Sequence, residues 1–159
     1  MKIKLTIILF LINFSFVFSQ RQNIIEHLLI DIIEENQEYL NLKLNPQSFI
    51  PELNNELKKD ENYKYTMNEV KDKNFIQYFQ KVEKLNKINW TSYKLSKFKY
   101  DSNNYEIEFS TPIFINNNKE ALIQIKTNYI NWFNVYKLNN NNKWKLSYGF
   151  GNKKLPKNR

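Results

Sequence analysis

The feature that most constrains this chain is a change of period: before Trp90 its apolar residues recur at three- and four-residue steps, and from Trp90 onward they recur at every second position. The first spacing puts side chains on one stripe of a helix and the second puts them on one face of a strand. Helices followed by consecutive strands predict an α+β domain, with N-terminal helices packed on one face of a C-terminal antiparallel β-meander of about five strands.

The opening helix is predicted over Asn23 to Tyr39. Ile24, Ile25, Leu28, Leu29, Ile32 and Ile33 form its apolar stripe, and Glu26, Asp31, Glu34 and Glu35 lie on the other side. Asn23 with Glu26 three residues on has the pattern of a capping box. Pro46 and Pro51 interrupt the looser stretch from Asn41 to Lys64, where a short helix fits Pro51 to Lys59. A second clear helix spans Asn74 to Lys87, with Phe75, Tyr78, Phe79, Val82 and Leu85 on one stripe.

The meander is read as strands at Trp90 to Tyr100, Tyr105 to Phe109, Ala121 to Thr127, Trp132 to Leu138 and Trp144 to Phe150, with Ile113 to Ile115 preceding an asparagine turn. Thr111-Pro112 marks a bend or edge. Asn116 to Asn118 and Asn139 to Asn142 are turns, because asparagine tolerates the left-handed conformation that tight connections demand. In the last strand Trp144, Leu146, Tyr148 and Phe150 are expected on one face, with Lys143, Lys145 and Ser147 on the other. Aromatics at Trp90, Tyr93, Tyr100, Tyr129, Trp132 and Tyr136 then require the sheet either to curl around a second apolar interior or to display a sticky surface.

Lys2 and Lys4 precede a run from Leu5 to Phe18 that is apolar except for Thr6, Asn13 and Ser15. This is the pattern of an export signal, with cleavage expected between Ser19 and Gln20. A membrane span needs roughly 20 apolar residues, so no transmembrane anchor is expected after cleavage. The chain divides into a signal peptide at 1–19, a single domain at 20–150 and a basic flexible tail at 151–159, and it is placed in the periplasm or outside the cell. With no cysteine in the sequence, disulfides, thiolate metal sites and cysteine nucleophiles are excluded.

Charge is unevenly placed. Gln20 to Val70 carries five basic and ten acidic residues, a balance of −5, whereas Lys71 to Arg159 carries 17 basic and six acidic, a balance of +11. Such asymmetry can attract polyanions. An abundance of asparagine, lysine and isoleucine is also what AT-rich codons produce, and arginine is nearly absent, so polyanion binding is not the favoured reading.

Phe109-Ser110-Thr111-Pro112-Ile113-Phe114, then Lys119-Glu120-Ala121-Leu122-Ile123, then Tyr136-Lys137-Leu138 and Asn142-Lys143-Trp144-Lys145-Leu146 resemble small exported proteins of unknown function from AT-rich Gram-negative bacteria. Those proteins carry an S-x-P-I-F phrase, an alanine-bearing strand and a closing K-W-K strand. The likeness covers roughly residues 74 to 148 and implies export, but no active site. It departs at Asn128 to Phe133, which lacks the glycines such proteins often have there.

No catalytic, cofactor or metal site is expected. His27 is the only histidine, without an evident serine or carboxylate partner. Glu106 and Glu108 project from the same face of a strand; paired carboxylates can hydrolyse glycosides, and they are also what a solvated strand face contains. Asn89-Trp90-Thr91 matches a glycosylation sequon that carries no meaning in a bacterial protein. The candidate ligand-contacting surface combines lysines with aromatics: Trp90, Lys94, Lys97, Trp132 and Lys145. The leading expectation is an exported, non-enzymatic binding or interaction domain for an unknown protein or envelope polymer. The alternatives are a carboxylate-dependent hydrolase acting on cell-wall glycan and an immunity or antagonist protein for a secreted toxin.

Overall fold

The computed structural model describes residues 22–53, 59, 61, 63–65, 75–93, 95 and 97–153. The expected signal peptide, the greater part of the expected 51–59 helix and the end of the tail lie outside the described residues, as does Lys94. Within them the fold mixes helices with one seven-stranded sheet.

Helix α1 occupies 22–35 and buries Ile25, Leu28, Leu29, Ile32 and Ile33, the stripe its spacing predicts. Gln22 is already helical, so Asn23 lies within the helix and does not cap it. The helix ends before Tyr39 at Asn36, whose φ of −135° and ψ of 67° leave the helical region while its side chain donates to the Ile32 carbonyl at 2.9 Å. A 3-10 turn, Gln37–Asn41, follows and tucks Tyr39 into the core. Helix α2, Phe75–Val82, is shorter than the stripe suggested, and turns carry the chain on to Leu85.

The strands are β1 (Lys43–Leu44), β2 (Lys99–Tyr100), β3 (Ile107–Phe109), β4 (Ile113–Ile115), β5 (Glu120–Thr127), β6 (Ile130–Leu138) and β7 (Trp144–Lys153). Their order is β2-β1-β3-β5-β6-β7, with β4 also on β5. Two expectations are corrected here. The sheet has seven strands where about five were expected, and it is mixed, because β1 runs parallel to both β2 and β3. The expected strand from Trp90 to Tyr100 contributes only its last two residues. Its beginning is a 3-10 turn, in which Asn89 Oδ1 accepts from both the amide and the hydroxyl of Thr91, so local side-chain bonds displace the ladder. Asn89 of the sequon is therefore the cap of this turn, and Trp90 and Thr91 are its first two residues.

β3 and β4 pair in succession along one edge of β5, separated by the bend at Ser110-Thr111-Pro112. Ser110 bridges the break: its amide donates to the Gln124 carbonyl at 2.9 Å and its hydroxyl accepts from the Gln124 amide at 2.8 Å. The turns form as their asparagines require, with positive φ at Asn116, Asn117, Asn118 and Asn142.

The two-layer expectation is also corrected, because both sheet faces are covered. On one face α1 packs with Trp90, Leu95 and Phe98 over Ile107, Phe109, Ala121, Ile123, Ile125, Tyr136 and Trp144. On the other, Tyr78 of α2 and Leu53 pack over Ile113, Ile115, Leu122, Phe133, Val135 and Phe150. The central strand β5 is consequently buried from Ala121 through Ile125.

The last strand corrects the expected facing as well. A register shift opposite Val135 and Tyr136 pairs Tyr148 with Val135 but Leu146 with Tyr136, leaving Ser147 as an extra residue. The bulge reverses the alternation, so Trp144 joins the α1-side core while Phe150 joins the other and stacks on Phe133 at 5.0 Å. The chain's two glycines lie just beyond this bulge. A Cβ at Gly149 would meet the Trp132 indole; at Gly151, where φ is +154°, it would strike the Asn131 carbonyl oxygen.

Candidate functional site

The residues singled out in the sequence are dispersed by the fold. Trp90 is fully enclosed, 5.8 Å from Tyr93 and 6.5 Å from Phe109, so its ring belongs to the core. Lys97 is exposed. Trp132 is half-buried against Gly149, and its register partner on β7 is Gly151. Lys145 bonds Glu35 at 3.0 Å near the other end of β7. At about 3.3 Å of rise per residue, the six residues from Lys145 to Gly151 put Lys145 and Trp132 roughly 20 Å apart. Of the other aromatics, Tyr136 is enclosed, Tyr93 and Tyr100 are partly buried and Tyr129 is 61 % exposed. The second apolar interior, and not a continuous aromatic surface, is what the sheet builds.

The charge asymmetry is largely internal. The acidic side of α1 faces the basic β6–β7 hairpin: Glu34 bonds Lys143 at 3.1 Å, Glu35 bonds Lys145, and Asp31 Oδ2 accepts the Trp144 amide at 2.7 Å. The Glu34 carboxylate holds the Lys143 ammonium above its ordinary pKa. Elsewhere Lys43 pairs with Asp101, Lys126 with Glu52 and Lys137 with Glu120. The backbone amides of Asn104 and Asn103, more than Lys43, hold the Asp101 carboxyl below the usual range. Exposed pairs of this kind contribute about 1 kcal/mol or less each, and they tie five of the chain's lysines to carboxylates.

Glu106 and Glu108 share a shallow depression of about 270 Å³ with Tyr105, Lys126, Thr127 and Asn128. Both carboxylates serve β1 and its continuation. Glu106 accepts the Lys43 amide at 3.1 Å, and Glu108 accepts from the Asn45 side chain at 3.0 Å. His27 is exposed on α1. Among the described residues no group of three or more metal-ligating side chains assembles, and no helix is long and apolar enough to cross a membrane.

A second cleft, also of about 270 Å³, opens where the beginning of α1 meets the segment after α2. Its lining comprises Gln22, Ile25, Lys84, Asn86, Lys87, Ile88, Tyr93 and Thr111. The wall from 84 to 88 is held from behind by two buried hydroxyls. Ser48 Oγ lies 2.7 Å from Thr111 Oγ1 and accepts the Ile88 amide at 2.6 Å, while the Thr111 hydroxyl donates to the Asn86 carbonyl at 2.9 Å. With its proton committed to Asn86, Thr111 must accept from Ser48. Ile88 O also accepts the Ser48 amide at 2.8 Å, and Gln22 closes the other side by donating to the Ser92 carbonyl at 3.0 Å.

The cleft is thus bordered by two lysines three residues apart, by Gln22 and Asn86, and by an apolar wall of Ile25, Ile88 and Tyr93. Among the described residues that line it there is neither a carboxylate nor a histidine. Sequence reasoning missed this site because its walls come from four separated segments; the visible signal was the Lys84/Lys87 spacing at the end of an apolar stripe. Comparison with known protein families, with curated proteins and with solved structures finds no match.

Proposed function

We propose that this chain is an exported, non-enzymatic binding domain that takes its ligand in the Lys84–Lys87 cleft. The observation that carries this reading is the lining among the described residues: a concave, partly apolar site bordered by two lysines. Export is supported by the basic start and apolar run of residues 2–18, and it makes an envelope or extracellular molecule the expected ligand. The hydrolase reading is disfavoured because Glu106 and Glu108 act as hydrogen-bond acceptors for the β1 segment.

Two measurements test the proposal. Mass spectrometry of the protein recovered from outside the cytoplasm should find Gln20 at the N-terminus, whereas intact Met1 would refute processing. Fractionated envelope extract added to the isotopically labelled protein should shift amides at 22–25, 84–88, 93 and 111. Turnover of cell-wall glycan that is lost in Glu106→Gln or Glu108→Gln would replace the binding reading with the enzymatic one.

A further inference from the structure

We propose that the group seated in this cleft is a tetrahedral oxyanion, a phosphate or sulfate ester, carried on a small and partly apolar body. The inference rests on the binding function proposed above and specifies its ligand.

Positive charge without a carboxylate partner is left over beside this cleft. Lys43, Lys126, Lys137, Lys143 and Lys145 each have a carboxylate partner, and Lys81 donates to the Phe114 carbonyl. Lys84 and Lys87 form no ion pair among the described residues, yet both border the same concavity. Other lysines without an ion pair, such as Lys97 and Lys119, line neither described cleft. Two like charges held on one wall repel each other, and an anion between them converts that repulsion into attraction. Lysine binds phosphate as a point charge, so an oxyanion ester matches the pair in sign, and a phosphate monoester, at about −2 near pH 7, matches it in charge as well.

Position and size point the same way. The Ser48–Thr111 bonds fix the backbone that carries the two lysines, so less order is lost on binding than for lysines on a free loop. The volume of about 270 Å³ is just below the usual range of small-molecule sites, roughly 300–1,000 Å³. It exceeds what a bare anion fills, and Ile25, Ile88 and Tyr93 supply apolar contact for the remainder.

The test is amide-resolved titration of the full chain with phenyl phosphate, phenyl sulfate, inorganic phosphate and the neutral phenyl glucoside. Phenyl phosphate or phenyl sulfate should shift 84–88, Tyr93 and Thr111, bind more tightly than inorganic phosphate, and weaken as salt rises from roughly 0.02 to 0.2 M. Lys84→Gln with Lys87→Gln should reduce affinity about tenfold or more, as loss of two charge contacts implies, while Lys119→Gln leaves it unchanged. Both lysines are exposed, so an unaltered melting curve separates lost binding from lost fold. If the glucoside binds equally and the double variant retains it, the cleft is a neutral site: the oxyanion assignment falls and the binding function stands. If Lys119→Gln weakens binding as much as the double variant, the interaction is diffuse and the assignment also falls. If neither these probes nor envelope extract perturbs the cleft, both readings fall.

Discussion

Thr111→Val removes a single hydroxyl with almost no change of shape, and its consequences follow from three contacts. Thr111 and Ser48 are 2 % and 1 % exposed. The substitution deprives the Ser48 hydroxyl of its acceptor and the Asn86 carbonyl of its donor. Asn86 sits at an exposed position, where water can replace the lost donor; Ser48 has no such recourse. One buried, unsatisfied group costs about 1–3 kcal/mol, partly offset by the added methyl, so the expected loss is about 1–2 kcal/mol. For a domain of this size that lowers Tm by roughly 3–8 °C. Urea unfolding followed by tryptophan fluorescence should show a lower midpoint at constant slope. A cycle with Ser48→Ala should give a coupling of about 1 kcal/mol, because the two residues share one bond. Amide exchange at Asn86, Lys87 and Ile88 should quicken, since the cleft wall loses its tether. Stability within about 0.3 kcal/mol of wild type, additive singles and unchanged exchange would refute the clamp.

Other substitutions probe other layers of the argument. Asp31→Ala should cost about 1–3 kcal/mol by stripping the Trp144 amide of its acceptor, whereas Lys143→Ala, which breaks only an exposed pair, should leave the midpoint of the same denaturation assay nearly unchanged. Gly151→Ala should destabilise by about 1–3 kcal/mol, since its Cβ meets backbone at a positive φ; Gly149→Ala should also destabilise, because its Cβ would meet both the Trp132 indole and the buried Asn134 side chain. Burial, then the neighbouring Tyr39 and Glu35, pushes the Tyr136 hydroxyl well above the ordinary tyrosine range. A folded pKa raised above the unfolded value of 10 means that stability is intact below pH 10 and declines as pH rises beyond it. Tyr136→Phe should therefore flatten the alkaline limb of a pH–stability curve.

Much of the fold was legible because the period of a pattern reports which sides of an element are buried. The stripe of α1, the strands around 107–109, 113–115, 120–127, 130–138 and 144–150, and the left-handed asparagine turns all followed from local chemistry. What escaped depended on partners distant in sequence. β1 is two residues long and exists because Lys99–Tyr100 and Ile107 flank it. The second core was encoded in the run Ala121 to Ile125, whose even- and odd-numbered members are both buried, and a run of that kind requires cover on both faces. The Ser147 bulge leaves no mark in an alternating pattern, yet it sends Trp144 and Phe150 to opposite cores. Aromatic–lysine interleaving suggested a binding surface because a tryptophan in a core and one on a surface look alike in sequence; only the fold encloses Trp90 and pairs Lys145 with Glu35. The cleft was illegible for the same reason, since Gln22, Lys84, Tyr93 and Thr111 meet only after the helices have packed.

The central claim is that Trp90 and Trp144 fill the α1-side interior, leaving recognition to the cleft. Acrylamide quenching of Trp132→Phe measures this directly, because Trp90 and Trp144, at 0 % and 2 % exposure, are then the only emitters. The prediction is a blue-shifted spectrum with weak quenching that becomes strong only on unfolding. Quenching in the native protein close to that of the urea-unfolded chain would place those rings in solvent and contradict the account.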